Sequence, residues 1–247
     1  MPTLTAPFFE IGPKNLMRKT ELLALARSAE AALAEHGVTT ILTVPVALIY
    51  LVKTAHPRLL VFAQTMSTEI PGPSVGAVIA ESLVDASADD VMLNHASCPM
   101  EFAELSAAVD RASGNGLQTI VCAGDLGQAI SIARLRPTVV LFEPPELIGH
   151  AGGASRPWIA EANHRLKEIN PDTLVMHAGG VVTLADVSRV MEGGASGTGA
   201  TSGVVRAPDP SEKARRFIAA VRREWDLQQA AFRRSAATGE SDDPQRR

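Results

Sequence analysis

A single closed (β/α)8 barrel is the fold this sequence predicts, on three observations. Short apolar or β-branched runs alternate with segments of helical period along the 247 residues, and alternation at this spacing implies parallel βαβ units. Eight such runs suit a closed barrel better than an open doubly wound sheet, which has about five or six strands. The hydrophobic fraction of 46% against an aromatic fraction of 4% makes the core aliphatic, as for parallel strands buried on both faces.

The first strand is read at Pro7 to Ile11. The first helix follows at Thr20 to His36, where Leu22, Leu25, Ala26 and Ala29 share one face and Gly37 is placed to close the last turn. Strands two to four are read at Thr39 to Val44, Leu59 to Gln64 and Asp90 to Asn94, and a helix at Glu101 to Ser113. Gln118 to Ala123 is the fifth strand, Leu126 to Leu135 a helix, and Thr138 to Glu143 the sixth strand. A helix at Pro157 to Ile169, a strand at Thr173 to His177 and a helix at Leu184 to Glu192 follow. Pro137 and Pro171 each stand after a helix and before a strand, where proline stops the one without harming the other. The eighth strand is expected near Thr198 to Ser202 in a stretch of low apolar bulk that reads equally as a loop, and the last helix runs from Asp209 to about Ala231. The barrel is thus placed in residues 1–231. Residues 232–247 are read as a disordered tail, since from Ser235 onward the chain is polar, contains Gly239 and Pro244, and offers little to bury.

Charge and cysteine content narrow the function classes. With 23 basic and 27 acidic residues the chain has no broad basic field for nucleic acid or acidic lipid. Cys98 and Cys122 form neither a CxxC pair nor a disulfide framework and read as free thiols in a reducing compartment. The opening residues lack a basic segment followed by an apolar one, and no apolar stretch approaches the length of a membrane span. A cytoplasmic protein without nucleic-acid or membrane partners is expected.

In such a barrel the reactive groups gather at the carboxyl ends of the strands. Those ends carry Gly12-Pro13-Lys14-Asn15, Leu93-Asn94-His95, Phe142-Glu143-Pro144-Pro145-Glu146 and His177-Ala178-Gly179-Gly180. A lysine, a histidine and a carboxylate on one rim suit proton transfer beside a carbonyl. The carboxylate takes the α-proton, the imidazole donates to the oxygen of the forming enediol, and the ammonium holds negative charge in place. Glycine-rich turns after the last two strands would offer backbone N–H groups to a phosphate. The spacing of His95, His150 and His177 fits no metal-ligand motif, so no metal is expected.

The run Leu141-Phe-Glu-Pro-Pro-Glu-Leu-Ile-Gly149 is similar to the sixth-strand and lid motif of archaeal-type triosephosphate isomerases, and Leu93-Asn94-His95 resembles their fourth-strand motif. Phe62-Ala63-Gln64, Val121-Cys122, Ser202-Gly203-Val204 and Pro208-Asp209-Pro210 resemble further strand ends of the same family. The resemblance implies Glu143 as base, His95 as a neutral donor to the carbonyl and Lys14 as the charge that holds substrate, the roles these residue types have in that family. It implies substrate and phosphate contacts at Gly149, Ala151, Gly179, Gly180, Thr201 and Ser202. It also implies a lid at Gly149 to Gly153, no cofactor, a small phosphorylated sugar as substrate, and a homodimer or homotetramer.

This chain departs from the family pattern near the reacting centre. Gly12 replaces an asparagine, Ala96-Ser97 replace a Ser-Glu pair whose glutamate orients the lysine, and His150-Ala151 replace Thr-Gly in the lid. Val182 stands where a serine is usual after the seventh strand. Two alternatives to triose phosphate isomerisation follow: a related four-carbon sugar phosphate as substrate, or a barrel that binds a phosphorylated metabolite without chemistry.

Overall fold

The computed structural model describes residues 3–147 and 158–238. Eight parallel strands close on themselves in sequence order: β1 (Phe8–Ile11), β2 (Thr39–Val44), β3 (Leu60–Ala63), β4 (Asp90–Leu93), β5 (Gln118–Ala123), β6 (Val139–Phe142), β7 (Leu174–His177) and β8 (Gly197–Ala200). Closure is made by β1 against β8, with Phe8 opposite Gly197 and Ile11 opposite Ala200. All eight expected strands are present, and the shortest of them hold four residues.

Two apolar layers follow from the period of two along each strand. Phe8, Ile41, Phe62, Met92, Ile120, Leu141 and Met176 fill the barrel interior. The alternate positions, among them Phe9, Leu42, Val61 and Val140, pack outward on the helices. Those helices are α1 (Lys19–His36), α2 (Ile49–Ala55), α3 (Ala80–Asp85), α4 (Phe102–Gly114), α5 (Leu126–Ala133), α6 (Trp158–Ile169), α7 (Leu184–Glu192), α8 (Ser202–Val205) and α9 (Pro210–Thr238). Gly37 ends α1 in the left-handed conformation, at φ 63°, its N–H bonded to the Leu33 carbonyl, as the sequence predicts. Thr183 caps α7 reciprocally with Asp186.

Three differences from the sequence reading matter. The short helices α2, α3 and α8 carry too few turns to show a helical period, so composition alone does not mark them. The eighth strand lies at Gly197–Ala200, which leaves Thr201 and Ser202 beyond its carboxyl end, with Ser202 opening α8. The last helix reaches Thr238, past the boundary expected at 231, because Gln228 to Thr238 contains neither proline nor glycine. Residues 239–247 of the expected 232–247 tail and the expected lid, with Gly149, His150 and Ala151, lie outside the described residues.

Candidate active site

A cavity of about 660 Å³ opens at the carboxyl end of the barrel, lined by Lys14, His95, Glu143, Gly179, Gly180, Thr201 and Ser202 together with the interior residues Glu10 and Thr43. The structure therefore gathers every sequence-predicted site residue that falls within the described chain.

Glu143 arrives there by strand periodicity. Val139 and Leu141 face the barrel interior, so the next residue of that phase, two further on, turns its side chain to the same axis above them. The Glu143 N–H continues the ladder onto the Ala123 carbonyl at 2.9 Å, which fixes its backbone although β6 has ended. Its side chain is half-buried, and Pro144 closes off any continuation of the strand.

His95 is held by its neighbours in one protonation state. Asn94 adopts a left-handed backbone at φ 57°, donates to the Cys122 carbonyl at 2.8 Å and accepts the Met100 N–H at 3.0 Å. That anchors the turn. The Ser97 N–H then donates to His95 Nδ1 at 3.0 Å, and the Ser97 hydroxyl stands 2.8 Å from the same nitrogen. With Nδ1 an acceptor, the ring proton resides on Nε2. Burial, followed by the charge of Lys14, pulls the imidazole pKa down to about 4, so near neutrality the ring is an uncharged donor.

Lys14 sits in the turn after β1, half-buried, also left-handed at φ 49°. A non-glycine residue in that region costs energy and persists only where its surroundings dictate it. It makes no salt bridge with a carboxylate among the described residues. The cation lines the cavity without a direct carboxylate contact among the described residues.

Two glycine positions let the loop after β7 pack against its neighbours, the loop after β6 on one side and the turn after β8 on the other. Gly179, at φ 81°, would place a Cβ 3.0 Å from Leu147 Cβ and 3.2 Å from Glu143 Cγ. A Cβ on Gly203 would stand 2.1 Å from the Val181 carbonyl oxygen, so no other residue fits without parting the two turns. Their backbone closes one side of the cavity, with Arg206 exposed at its mouth.

Other residues singled out by the sequence stand elsewhere. His177 is buried and packs outward, its Nε2 2.8 Å from Asn163 Oδ1 on α6 and its ring 5.3 Å from that of Trp158. Cys122 is buried in β5. Cys98 is exposed and lines the cavity mouth. No group of three or more His, Cys, Asp or Glu suited to hold a metal occurs among the described residues, and none of their helices is long and apolar enough to cross a membrane.

Glu10, Thr43 and Arg206 are cavity residues that the sequence reading passed over. Glu10 left a usable signal: it is the only charge in the strand Phe-Phe-Glu-Ile, in the same phase as the interior Phe8. Burial lifts its pKa to about 7, with the Thr43 hydroxyl opposing, the charge of Glu143 adding, and Lys14 opposing.

Comparison with known proteins gives one consistent result. Residues 13–212 match the family model described as triosephosphate isomerase. The triosephosphate isomerase of Methanocaldococcus jannaschii is 32% identical over 199 residues, covering 79% of this chain and 90% of that protein. That of Methanopyrus kandleri is 36% identical over 194 residues, 77% of this chain and 86% of the relative. That of Sulfolobus acidocaldarius is 30% identical over 198 residues, 79% and 86% of the two chains. The crystal structure of triosephosphate isomerase from Bartonella henselae superposes with a TM-score of 0.70 at 17% identity, over 88% of this chain and 99% of that one, a likeness of fold.

Proposed function

Because the chain belongs to the triosephosphate isomerase family, we propose that it interconverts dihydroxyacetone phosphate and glyceraldehyde 3-phosphate through an enediol, without a cofactor, in the cytoplasm. The observation that carries this reading is the convergence of Glu143, a neutral His95 and Lys14 on one cavity.

The geometry supports a division of labour. Glu143 removes the proton from the carbon next to the carbonyl and returns it to the neighbouring carbon. The Nε2–H of His95 donates to the oxygen on which charge develops, and a neutral imidazole suits this because it does not titrate as the reaction proceeds. Lys14 attracts the phosphorylated substrate and holds the enediolate oxygens. Backbone N–H groups at Gly179, Gly180, Thr201 and Ser202 receive the phosphate, at the place after the last two strands where barrels of this kind hold it. Proton transfer between adjacent carbons needs no external electron acceptor, since the substrate is oxidised at one carbon and reduced at the next.

Ser97 occupies the place of the glutamate that orients the lysine in relatives, and here its N–H and hydroxyl serve His95 instead. The segment between β3 and α3 leaves Ile70 and Val75 exposed, at 65% and 96%, which favours assembly into a homodimer or homotetramer.

The test is turnover of dihydroxyacetone phosphate by the purified chain beside its Glu143→Gln variant. We expect kcat to fall about 10²- to 10⁴-fold in the variant, with binding of 2-phosphoglycolate retained. Normal turnover by the variant would remove Glu143 as the base.

A further inference from the structure

The geometry points to a hydroxyl-binding subsite in the floor of the cavity, formed by the Glu10 carboxyl and the Thr43 hydroxyl, that receives an oxygen of a polyhydroxylated phosphate ester. This rests on the reading of the cavity as a sugar phosphate site.

Glu10 is the one buried carboxylate of the described residues with a fully buried oxygen that lacks a hydrogen bond. Four carboxylates are buried: Glu10, Asp90, Asp186 and Glu224. Asp90 accepts the Gln118 N–H at 2.6 Å. Asp186 accepts from the backbone of Val182 and Thr183 and from Arg189. Glu224 accepts from Ser188 at 2.8 Å and from Arg223. Glu10 is 5% exposed, and its Oε1 has no hydrogen-bond partner. The Thr43 hydroxyl, equally buried, lies close enough to the carboxyl to favour its charged form, but it completes no well-formed hydrogen bond with it or with any other group of the described residues. Leaving such groups dry and unbonded is costly, and the nearness of Thr43 and Lys14 offsets the cost only in part, since the carboxyl pKa still stands at about 7.

The surroundings make room for that carboxyl. A Cβ on Gly12 would stand 2.9 Å from Glu10 Oε1, and a Cβ on Gly199 would stand 2.8 Å from Glu10 Oε2 and 2.5 Å from Met176 Cε. The carboxyl therefore occupies the space into which a side chain at residue 12 would project, and the absent side chain on β8 lets it do so. Both groups border the same cavity as Lys14, His95 and Glu143, beneath the place where the reacting carbons would lie.

A hydroxyl is the ligand chemistry this pair fits. Carboxyl and hydroxyl together offer at least one acceptor and one donor whichever protonation state Glu10 adopts, and an alcohol can answer either. A simple anion would meet the charge of Glu143, and an apolar group would leave both polar atoms unpaired. The lost contact would be felt as discrimination, because a site built to bond a hydroxyl rejects an analogue that lacks it.

The experiment is calorimetric titration of the full-length chain with two unreactive phosphate esters, glycerol 3-phosphate and propyl phosphate. Wild type is expected to prefer glycerol 3-phosphate by about tenfold or more. Glu10→Leu should lose about tenfold in affinity for glycerol 3-phosphate and little or none for propyl phosphate, and Glu10→Gln should fall between. If Glu10→Leu does not fold, Glu10→Gln and Thr43→Val each report the same ratio, and each should shrink it. A preference unchanged in the variants, or absent from wild type that binds both esters and turns over dihydroxyacetone phosphate, overturns the subsite and leaves the isomerase reading standing. Wild type that binds neither ester overturns both.

Discussion

At the scale of single residues, the decisive feature is the proton on His95. Ser97 gives Nδ1 a backbone donor, so the ring keeps its proton on Nε2, and burial with the nearby Lys14 keeps it uncharged down to about pH 4. Nitrogen-15 spectra of the histidines should therefore show His95 as the neutral Nε2–H tautomer from pH 5 to 8. The profile of kcat/KM should carry no His95 limb over that span. A ring that titrates near 6.5 would remove its role as an uncharged donor. Glu143 and His95 were legible in the sequence because each ends an apolar strand with a group that is costly to bury. Glu10 was not, though it interrupts an apolar strand just as plainly. Its meaning depends on Gly199 and Thr43, which lie far from it in sequence and meet it only across the strand pairing. Lys14 was legible only by its place at a strand end, since its left-handed backbone and its place on the cavity are tertiary facts.

At the scale of elements, the eighth strand explains why its sequence reads so weakly as one. Gly-Thr-Gly-Ala has little bulk because the interior beside it is already filled by other strands. A Cβ on Gly197 would meet three atoms of the Phe8 ring at 2.6 Å, and Phe8 is fully buried. Gly197→Ala should thus cost about 1–3 kcal/mol of stability, read as a shift in the urea midpoint with an unchanged slope. Gly203→Ala acts on function instead. It should push the turns after β7 and β8 apart, raise KM for dihydroxyacetone phosphate tenfold or more, and change kcat less. An unchanged KM would show that these turns do not grip the phosphate. Long periodic helices such as α1 and α7 were legible to within a residue, with capping residues marking their ends. The one- and two-turn helices α2, α3 and α8 were not, because a period of 3.6 cannot be read from four to seven residues.

At the scale of the whole molecule, closure of the barrel couples the site to stability, and the coupling has a sign that pH can reveal. Phe217 of α9 packs edge-on against Phe9 of β1 at 5.9 Å, seating the last helix against the first strand, so α9 helps hold the ring that contains Glu10 and Glu143. Two carboxyls inside that ring have pKa values raised by burial to about 7, Glu10 at the cavity floor and Asp90 at the start of β4. For each, the folded state binds more protons than the unfolded state between its ordinary value and about 7, so stability falls as pH rises through that window. His95 works the other way, its pKa being lowered, and adds stability as pH rises from about 4 to 6.5. Two raised carboxyls against one lowered imidazole leave a net descending slope, and the melting temperature should be higher at pH 5.5 than at pH 7.5. Glu10→Gln isolates one contributor. It removes a charge that the cavity must otherwise bury beside Glu143 and Cys122 with the Thr43 hydroxyl and Lys14 to oppose the cost. The variant should melt close to wild type at pH 5 and above it at pH 7.5, the gap widening with pH toward a limit of about 3 kcal/mol. A gap that closes as pH rises would mean that Glu10 is stabilised as an anion and serves the fold. A gap that opens means that the barrel bears the cost of this carboxyl for the sake of what enters the cavity.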